Sequence, residues 1–344
     1  MDLSQKLKKI GFVKDASNVE ECGQHLVFNK QKHVLTSDQR STLKHAHFCK
    51  FRFCPVCNMR KIRFKLAPEL FAINEFLSYY DKTKYAYLFL TLTVPNPKVD
   101  DLKSTIRHMN KSFQRMAESK AYKQAVKGHF RALEILGSNT PSGEAHPHFH
   151  VLLMVRKSYF TNPKHYLSRD KWLSMWQHAT RDDSITQVDV RKIRPKTLKD
   201  GTYRTAFASA VYEVAKYSTK HTDLTKLNDD DFYSIISQTK NVRFYAYGGK
   251  FKTALSALEN DPQTKINILK KDLHWLDDLY SSYTFSVSQY SLDHEKKITH
   301  VSSLQTKLCS SNQKYITQTD LDDLQPKETA GVDIIDLPYP NNRQ

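Results

Sequence analysis

Four of the five cysteines of this chain, Cys22, Cys49, Cys54 and Cys57, crowd into its first 57 residues, and the fifth, Cys309, lies far away. The opening stretch MDLSQKLKKIGF has no apolar core of the kind a secretory leader carries. An odd cysteine count in that context argues against a disulfide framework and for a reducing, cytoplasmic setting. Cys54-Pro-Val-Cys57 is a CxxC knuckle, a tight turn that aims two thiolates at one tetrahedral metal. Cys49 supplies a third ligand, and Cys22 a fourth, with His45 or His47 as alternatives to Cys22. A redox CxxC needs a βαβ context that the basic surroundings do not offer. Three cysteines within nine residues, set among Lys and Arg, also make a poor core. A zinc ion with four protein ligands is structural, and its binding energy is folding energy. The expectation is a zinc-binding, basic N-terminal module over residues 1–68.

Charge supports that placement. The 344 residues carry a formal net charge of +17, and residues 1–65 hold 14 Lys/Arg against 5 Asp/Glu. From Asp320 to Gln344 there are 2 basic and 6 acidic residues. A polyanionic partner such as DNA would therefore meet the first segment and avoid the last. Lys50, Arg52, Arg60, Lys61 and Arg63 are the candidate DNA-binding residues there, while Phe51 and Phe53 more plausibly cover the zinc site than stack on bases. No apolar run of about 20 residues occurs, so no membrane span is expected. Neither GxxxxGK[ST] nor GxGxxG is present, which argues against an NTP-driven motor or a Rossmann nucleotide site.

The central third alternates strand and helix signals. Residues 85–94 are rich in β-branched and aromatic side chains and end at Pro95-Asn-Pro97, which predicts a strand. Apolar residues recur at helical spacing from Asp100 to Lys127. Residues 130–136 and 146–155 read as two strands joined by the loop Gly137–Gly143, an antiparallel hairpin. If that loop centres near Pro141, Glu134 lies opposite His148. Strand alternation then places His146, His148, His150 and Glu134 on one face. Three imidazoles and a carboxylate suit a divalent cation, and stacking three imidazoles has no packing benefit of its own. Which of them coordinate is left open by the spacing alone. Residues 187–194 alternate like a strand, and residues 206–220 are Ala-rich and periodic, a helix. On that helix Glu213 and Tyr217 are one turn apart, with Lys216 and Lys220 nearby. Tyr217 could equally be packing on the sheet. Arg243–Lys252, basic and aromatic, reads better as a strand closing the domain than as a stacking platform for single-stranded DNA.

A divalent metal on a sheet, a tyrosine beside a carboxylate and a basic surface together suit phosphodiester transesterification. At these positions the chain resembles the replication initiator (Rep) proteins of small rolling-circle plasmids of Gram-positive bacteria, members of the HUH endonuclease superfamily. The resemblance spans roughly residues 20–250. It rests on Cys22-Gly with Phe48–Lys61, on Phe89-Leu-Thr-Leu-Thr-Val94, on His146-Pro-His-Phe-His-Val-Leu-Leu153 and on Glu213-Val-Ala-Lys-Tyr217. It implies an α+β fold with an HUH-type central antiparallel sheet flanked by helices. It implies that Tyr217 nicks one strand of the plasmid origin and keeps its 5′ end as a phosphotyrosine link, leaving a 3′-OH primer. Glu213 would activate water at termination, and Tyr212 is a rival nucleophile off the motif position. His148 and His150, with His146 and Glu134 less secure, would bind Mg2+ or Mn2+, and the cysteines Zn2+. A host helicase and DNA polymerase would supply unwinding and synthesis.

The expected organisation is the zinc module, a catalytic domain over 80–252, a helical extension over 253–301 carrying Trp275, Leu276, Leu279 and Tyr280, and a flexible acidic tail over 302–344. The extension could support self-association into a homo-oligomer. Two other functions fit parts of the pattern. A non-enzymatic, zinc-dependent copy-control repressor would explain the cysteines and the charge but not the His cluster or the Glu213/Tyr217 pair. A small-phosphoester hydrolase would explain the histidines but not the basic N-terminal segment.

Overall fold

The computed structural model describes residues 2–24, 26–32, 39–80, 85–137, 139–197, 203–217 and 222–269, together with the strand residues 286–287, 290–294, 297–301 and 304–305. The side chains of 26–32, 39–45, 63, 80, 204, 212–217, 222–223, 266–269 and the strand residues from 286 onward lie outside that description, as do all of Trp275, Leu276, Leu279, Tyr280 and Cys309. Among the described residues no helix is long and apolar enough to cross a membrane. The chain divides into two compact units, residues 1–61 with 272–344, and residues 62–271.

The first unit opens with helices α1 (Leu3–Lys9) and α2 (Val13–Glu20). Asp2 caps α1: its carboxylate accepts from the Gln5 N–H while the Gln5 side chain returns to the Asp2 N–H. Strands β1 (Leu26–Lys32) and β2 (Gln39–Ala46) pair antiparallel, and helix α3 (Pro55–Lys61) follows the cysteine loop. Near the other end of the chain, Tyr290–His294 and Lys297–Val301 pair as antiparallel strands. These residues were expected to be helical.

The second unit is an α+β sandwich. Its helices and strands in chain order are α4 (Ala67–Tyr80), β3 (Tyr85–Thr93), α5 (Leu102–Glu118), α6 (Lys120–Ala125), β4 (Val126–Glu134), β5 (His148–Arg156), α7 (Arg169–Thr180), β6 (Val188–Lys192), β7 (Lys196–Thr197), β8 (Tyr203–Arg204), α8 (Ala206–Tyr217), α9 (Thr222–Thr225), α10 (Asp229–Gln238), β9 (Tyr245–Gly249), α11 (Lys250–Asn260) and α12 (Pro262–Leu269). Five strands form one antiparallel sheet in the order β6-β3-β5-β4-β9. The 243–252 stretch thus contributes an edge strand, and Lys250 and Lys252 begin α11 rather than extending it. The unit also takes in α4 and the helices after residue 252, because α4 packs on α8, α11 and α12. The single helix expected over 100–127 is broken at Ser119, whose extended backbone lets its hydroxyl cap α6.

Alternation assigns the two faces of the sheet. Leu88, Leu90 and Leu92 share one face with Phe149, Val151 and Leu153, and all six are buried. Across from them α5 presents Ile106, Met109 and Phe113, and α7 presents Trp172 and Trp176, also buried. The Trp176 indole N–H donates to the Thr93 carbonyl, joining α7 to the end of β3. The opposite face carries Tyr87, Phe89, Thr91, Glu134, His148 and His150. Helix α8 packs on β3, β4 and β5, and its Phe207 ring lies 5.2 Å from the Tyr87 ring.

Two backbone features at the β4–β9 edge demand glycine. Gly249 has φ +57°, and a Cβ there would sit 2.6 Å from the Lys127 carbonyl oxygen. Gly248 lies under the His129 ring. Gly249→Ala is expected to cost roughly 2 kcal/mol, the left-handed strain plus a clash with backbone that cannot yield. Thermal unfolding should show a midpoint several degrees lower. His129 itself bonds the Tyr122 hydroxyl at 2.9 Å, and burial, then the nearby Arg131 charge, lowers its pKa to about 4. A histidine with a depressed folded pKa binds its proton more readily in the unfolded chain. Stability should therefore fall as pH drops from about 6.5 towards about 4, and urea titrations across that window should find the loss reduced in His129→Gln.

Candidate metal centres

The sheet's register builds the first centre. Glu134 pairs with His148 across β4 and β5, as the hairpin loop length predicted, and His148 pairs with Thr93 and His150 with Thr91 across β3. A single carboxylate oxygen, Glu134 Oε2, lies 3.0 Å from His148 Nε2 and 2.8 Å from His150 Nε2. All three side chains are buried, at 6%, 7% and 3% exposure. Burial alone would raise the Glu134 pKa, but hydrogen bonds from the two imidazoles outweigh it and hold the group well below the ordinary carboxylate range.

The tautomers are constrained. His148 Nδ1 is 2.8 Å from the His146 carbonyl, which can only accept, so Nδ1 carries the hydrogen. A neutral His148 then turns an Nε2 lone pair towards an ionised carboxylate. A proton or a metal ion shared between the two groups satisfies that contact. The Thr91 hydroxyl lies 3.4 Å from His150 Nδ1, in the corresponding outer position. Contacts of 2.8–3.0 Å between donors match the edge of about 3 Å expected for an octahedron with bonds near 2.0–2.1 Å. Glu134, His148 and His150 therefore fit a small divalent cation.

His146 is not brought into this group. The ladder begins at His148, and the preceding segment is stitched elsewhere: His146 N–H donates to the Ile135 carbonyl and Ala145 N–H to the Pro97 carbonyl. The His146 ring lies tilted against His148 at 4.9 Å between centroids, and its Nδ1 contacts Asn96 Oδ1 at 2.7 Å. It braces the site from outside. The loop before it is anchored by Asp231 at the start of α10, which accepts from the Gly143 N–H at 2.8 Å.

The second centre is in the N-terminal unit. Cys22, Cys49, Cys54 and Cys57 converge, with Sγ–Sγ distances of 3.5 Å for Cys22–Cys57 and 3.6 Å for Cys49–Cys57 and Cys22–Cys54. Those distances exclude disulfides, whose sulfurs are about 2.05 Å apart, and approach the edge of about 3.8 Å of a tetrahedron with Zn–S near 2.3 Å. Backbone N–H groups of Cys49, Lys50 and Phe51 point at the sulfurs of Cys22, Cys57 and Cys49. Lys50 adopts φ 57° to make that turn. Hydrogen bonding from the three other thiols holds Cys57 well below the ordinary thiol range, and the bond to Cys22 pushes Cys54 up. Cys22, rather than His45 or His47, completes the set of four. Phe53 is buried beside Cys54, with Phe51 edge-on at 6.1 Å.

A family model described as "Replication protein" matches residues 40–297. The chain belongs to the replication protein family. A "Protein rep" of Staphylococcus aureus is 38% identical over 205 residues, covering 60% of this chain and 82% of its own. A "Protein rep" of Bacillus amyloliquefaciens is 34% identical over 263 residues, 71% of this chain and 74% of its own. One from Streptococcus pneumoniae is 30% identical, at 75% and 77%. No solved structure matches the chain.

In this replication protein, Glu213 and Tyr217 lie one turn apart on α8, Tyr217 being its last residue, and their side chains lie outside the described residues with those of Tyr212 and Lys216. Lys220 and the Arg63 side chain are likewise outside. Lys50 and Lys61 are exposed, Arg52 is half-buried, and the Arg60 guanidinium lies 3.4 Å above the Phe48 ring. Sequence reasoning passed over Thr91, Asn96 and Asp231. Thr91 was findable, being the inward residue of an alternating strand one place from the histidines. Asn96 reaches His146, and Asp231 the loop before it, through long-range contacts that no local pattern announces.

Metal analysis should find about one zinc per chain, lost in Cys57→Ser. Mn2+ titration followed by electron paramagnetic resonance should find binding abolished in Glu134→Ala and retained in His146→Asn, since only the former supplies the shared oxygen.

Proposed function

We propose that this protein initiates plasmid replication by nicking one strand of the origin through Tyr217, with an HUH-type arrangement of the sheet and helix α8. The observation that carries the reading is the buried Glu134/His148/His150 triad on the sheet face that α8 crosses. Membership of the replication protein family supports the biological setting.

A divalent ion in the triad, Mg2+ or Mn2+, would polarise the scissile phosphodiester and stabilise the charge that builds on it. The protein's own groups do the rest. Glu134, His148 and His150 would hold that ion and so determine where the phosphate binds. The Tyr217 oxygen attacks phosphorus in line, the bond to the 3′ oxygen breaks, and that oxygen leaves as the 3′-OH primer after gaining a proton. The 5′ phosphate stays on Tyr217. A phenol with a pKa near 10 is a weak nucleophile at neutral pH, so its proton must be drawn away by the charged surroundings. At termination Glu213 activates a water molecule that releases a strand end, limiting each molecule to one round. Lys216 and Lys220 flank the held strand. The four-cysteine site holds zinc structurally and presents Lys50, Arg52, Arg60, Lys61 and Arg63 to the origin duplex. A host helicase and polymerase extend the primer in the cytoplasm.

Supercoiled origin plasmid incubated with the protein and Mn2+ should yield open circles and a covalent protein–DNA adduct. Tyr217→Phe should lose both, with activity down at least about a thousandfold, as expected for a missing nucleophile. A fully active Tyr217→Phe removes the nucleophile assignment. Glu213→Ala should still nick but alter the termination products. Origin binding with no cleavage under any metal would instead support a repressor.

A further inference from the structure

The triad face continues past the histidines to the edge of the sheet. Thr91 pairs with Asp189 and Phe89 with Arg191 on β6, so both β6 residues point to the same face as His150. Arg191 Nε lies 2.8 Å from Asp189 Oδ2, with both side chains more than half exposed. The Arg191 guanidinium carbon is 5.6 Å from the centre of the Phe89 ring, and that ring stacks on His150 at 5.4 Å. A cation is thus held next door but one to the metal site, over a buried aromatic that touches a metal ligand.

Its frame is fixed. Arg169, the first residue of α7, donates from Nε to the Val188 carbonyl at 3.1 Å, and the Ile193 N–H donates to the Tyr87 carbonyl at 2.9 Å. An ion pair this exposed contributes little to folding. The fold therefore gives no strong reason for a guanidinium here, whereas substrate does: a planar fork suits a phosphodiester, and ring contact restricts its orientation.

We propose that Arg191 is a phosphate clamp, binding a phosphate of the single strand next to the one held at the triad, and that Asp189 is its internal competitor. In the free protein Asp189 pre-orients the guanidinium. When DNA arrives, the phosphate takes the outer N–H groups, and the carboxylate beside it opposes binding. This assignment rests on the proposed nicking site, but its first test does not need cleavage.

Fluorescence anisotropy with a mixed-sequence single-stranded oligonucleotide, without divalent metal, should show Arg191→Ala binding roughly tenfold more weakly. Its log–log salt slope should be shallower by about 0.7, one phosphate contact fewer. Arg191→Lys should restore the slope but only part of the affinity, because the charge returns without the fork. Asp189→Asn should bind more tightly than wild type. A structural ion pair would give losses of the same sign in Asp189→Asn and Arg191→Ala, and that result overturns the proposal, as does an unchanged slope in Arg191→Ala. In a second assay, wild-type nicking should fall when one phosphate beside the nick is replaced by methylphosphonate. That same replacement should cost Arg191→Ala nothing further. Equal further loss in both proteins also overturns the clamp. If wild type fails to nick at all while the slope difference stands, the nicking reading falls and the phosphate contact survives.

Discussion

The second unit is organised around one carboxylate oxygen. Glu134 Oε2 meets two imidazole nitrogens in a setting where all three side chains are buried. Removing an ionised carboxylate from water costs several kcal/mol unless partners compensate. Compensation here comes from the neighbouring rings: His150 can turn an Nε2–H to the oxygen, and at His148, whose Nδ1 hydrogen goes to the His146 carbonyl, a shared proton or metal ion completes the contact. The triad is in that sense an electrostatic demand. The fold around it consists of devices that keep the three groups together: flanking strand β3, the Asn96 brace and the loop held by Asp231.

The two candidate metal centres contrast in construction. The cysteine cluster is assembled mainly on turns, where Lys50 takes a left-handed backbone and N–H groups point at sulfur. Four thiolates saturate a tetrahedral ion and leave no position for substrate. The Glu134 group is built on two neighbouring strands whose spacing is set by the ladder. Three ligands leave further positions of a six-coordinate ion available. Turns suffice where the metal itself supplies the order; strands are needed where the site has to be in place before substrate arrives.

Much of this was legible in the sequence because the decisive patterns are local. The CxxC knuckle with Cys49 and the alternation in His146-Pro-His-Phe-His each occupy under a dozen residues, and a short loop fixed the Glu134–His148 register. His146 shows where that logic stops. It has the right parity for the triad face, yet the ladder begins two residues later, and tertiary hydrogen bonds turn the segment away. The break at Ser119 was hidden for a similar reason: apolar spacing runs through it, and only a side-chain cap marks the second helix. The packing of α11 and α12 against α4 depends on contacts between residues nearly two hundred positions apart, which periodicity does not encode.

Charge, too, acquires a location. The excess of +17 is a property of the whole chain and says only that a polyanion is favoured. The N-terminal cluster of lysines and arginines would hold a phosphate backbone by number, with a strong salt dependence and little geometric discrimination. A single arginine held over Phe89 at the edge of the triad face would work differently. As a phosphate clamp it would be oriented by Asp189 before DNA arrives, and that carboxylate would oppose occupancy by loosely placed anions. Many mobile cations can bring a duplex to the surface; aligning one phosphodiester with a metal and a tyrosine calls for a few restrained ones.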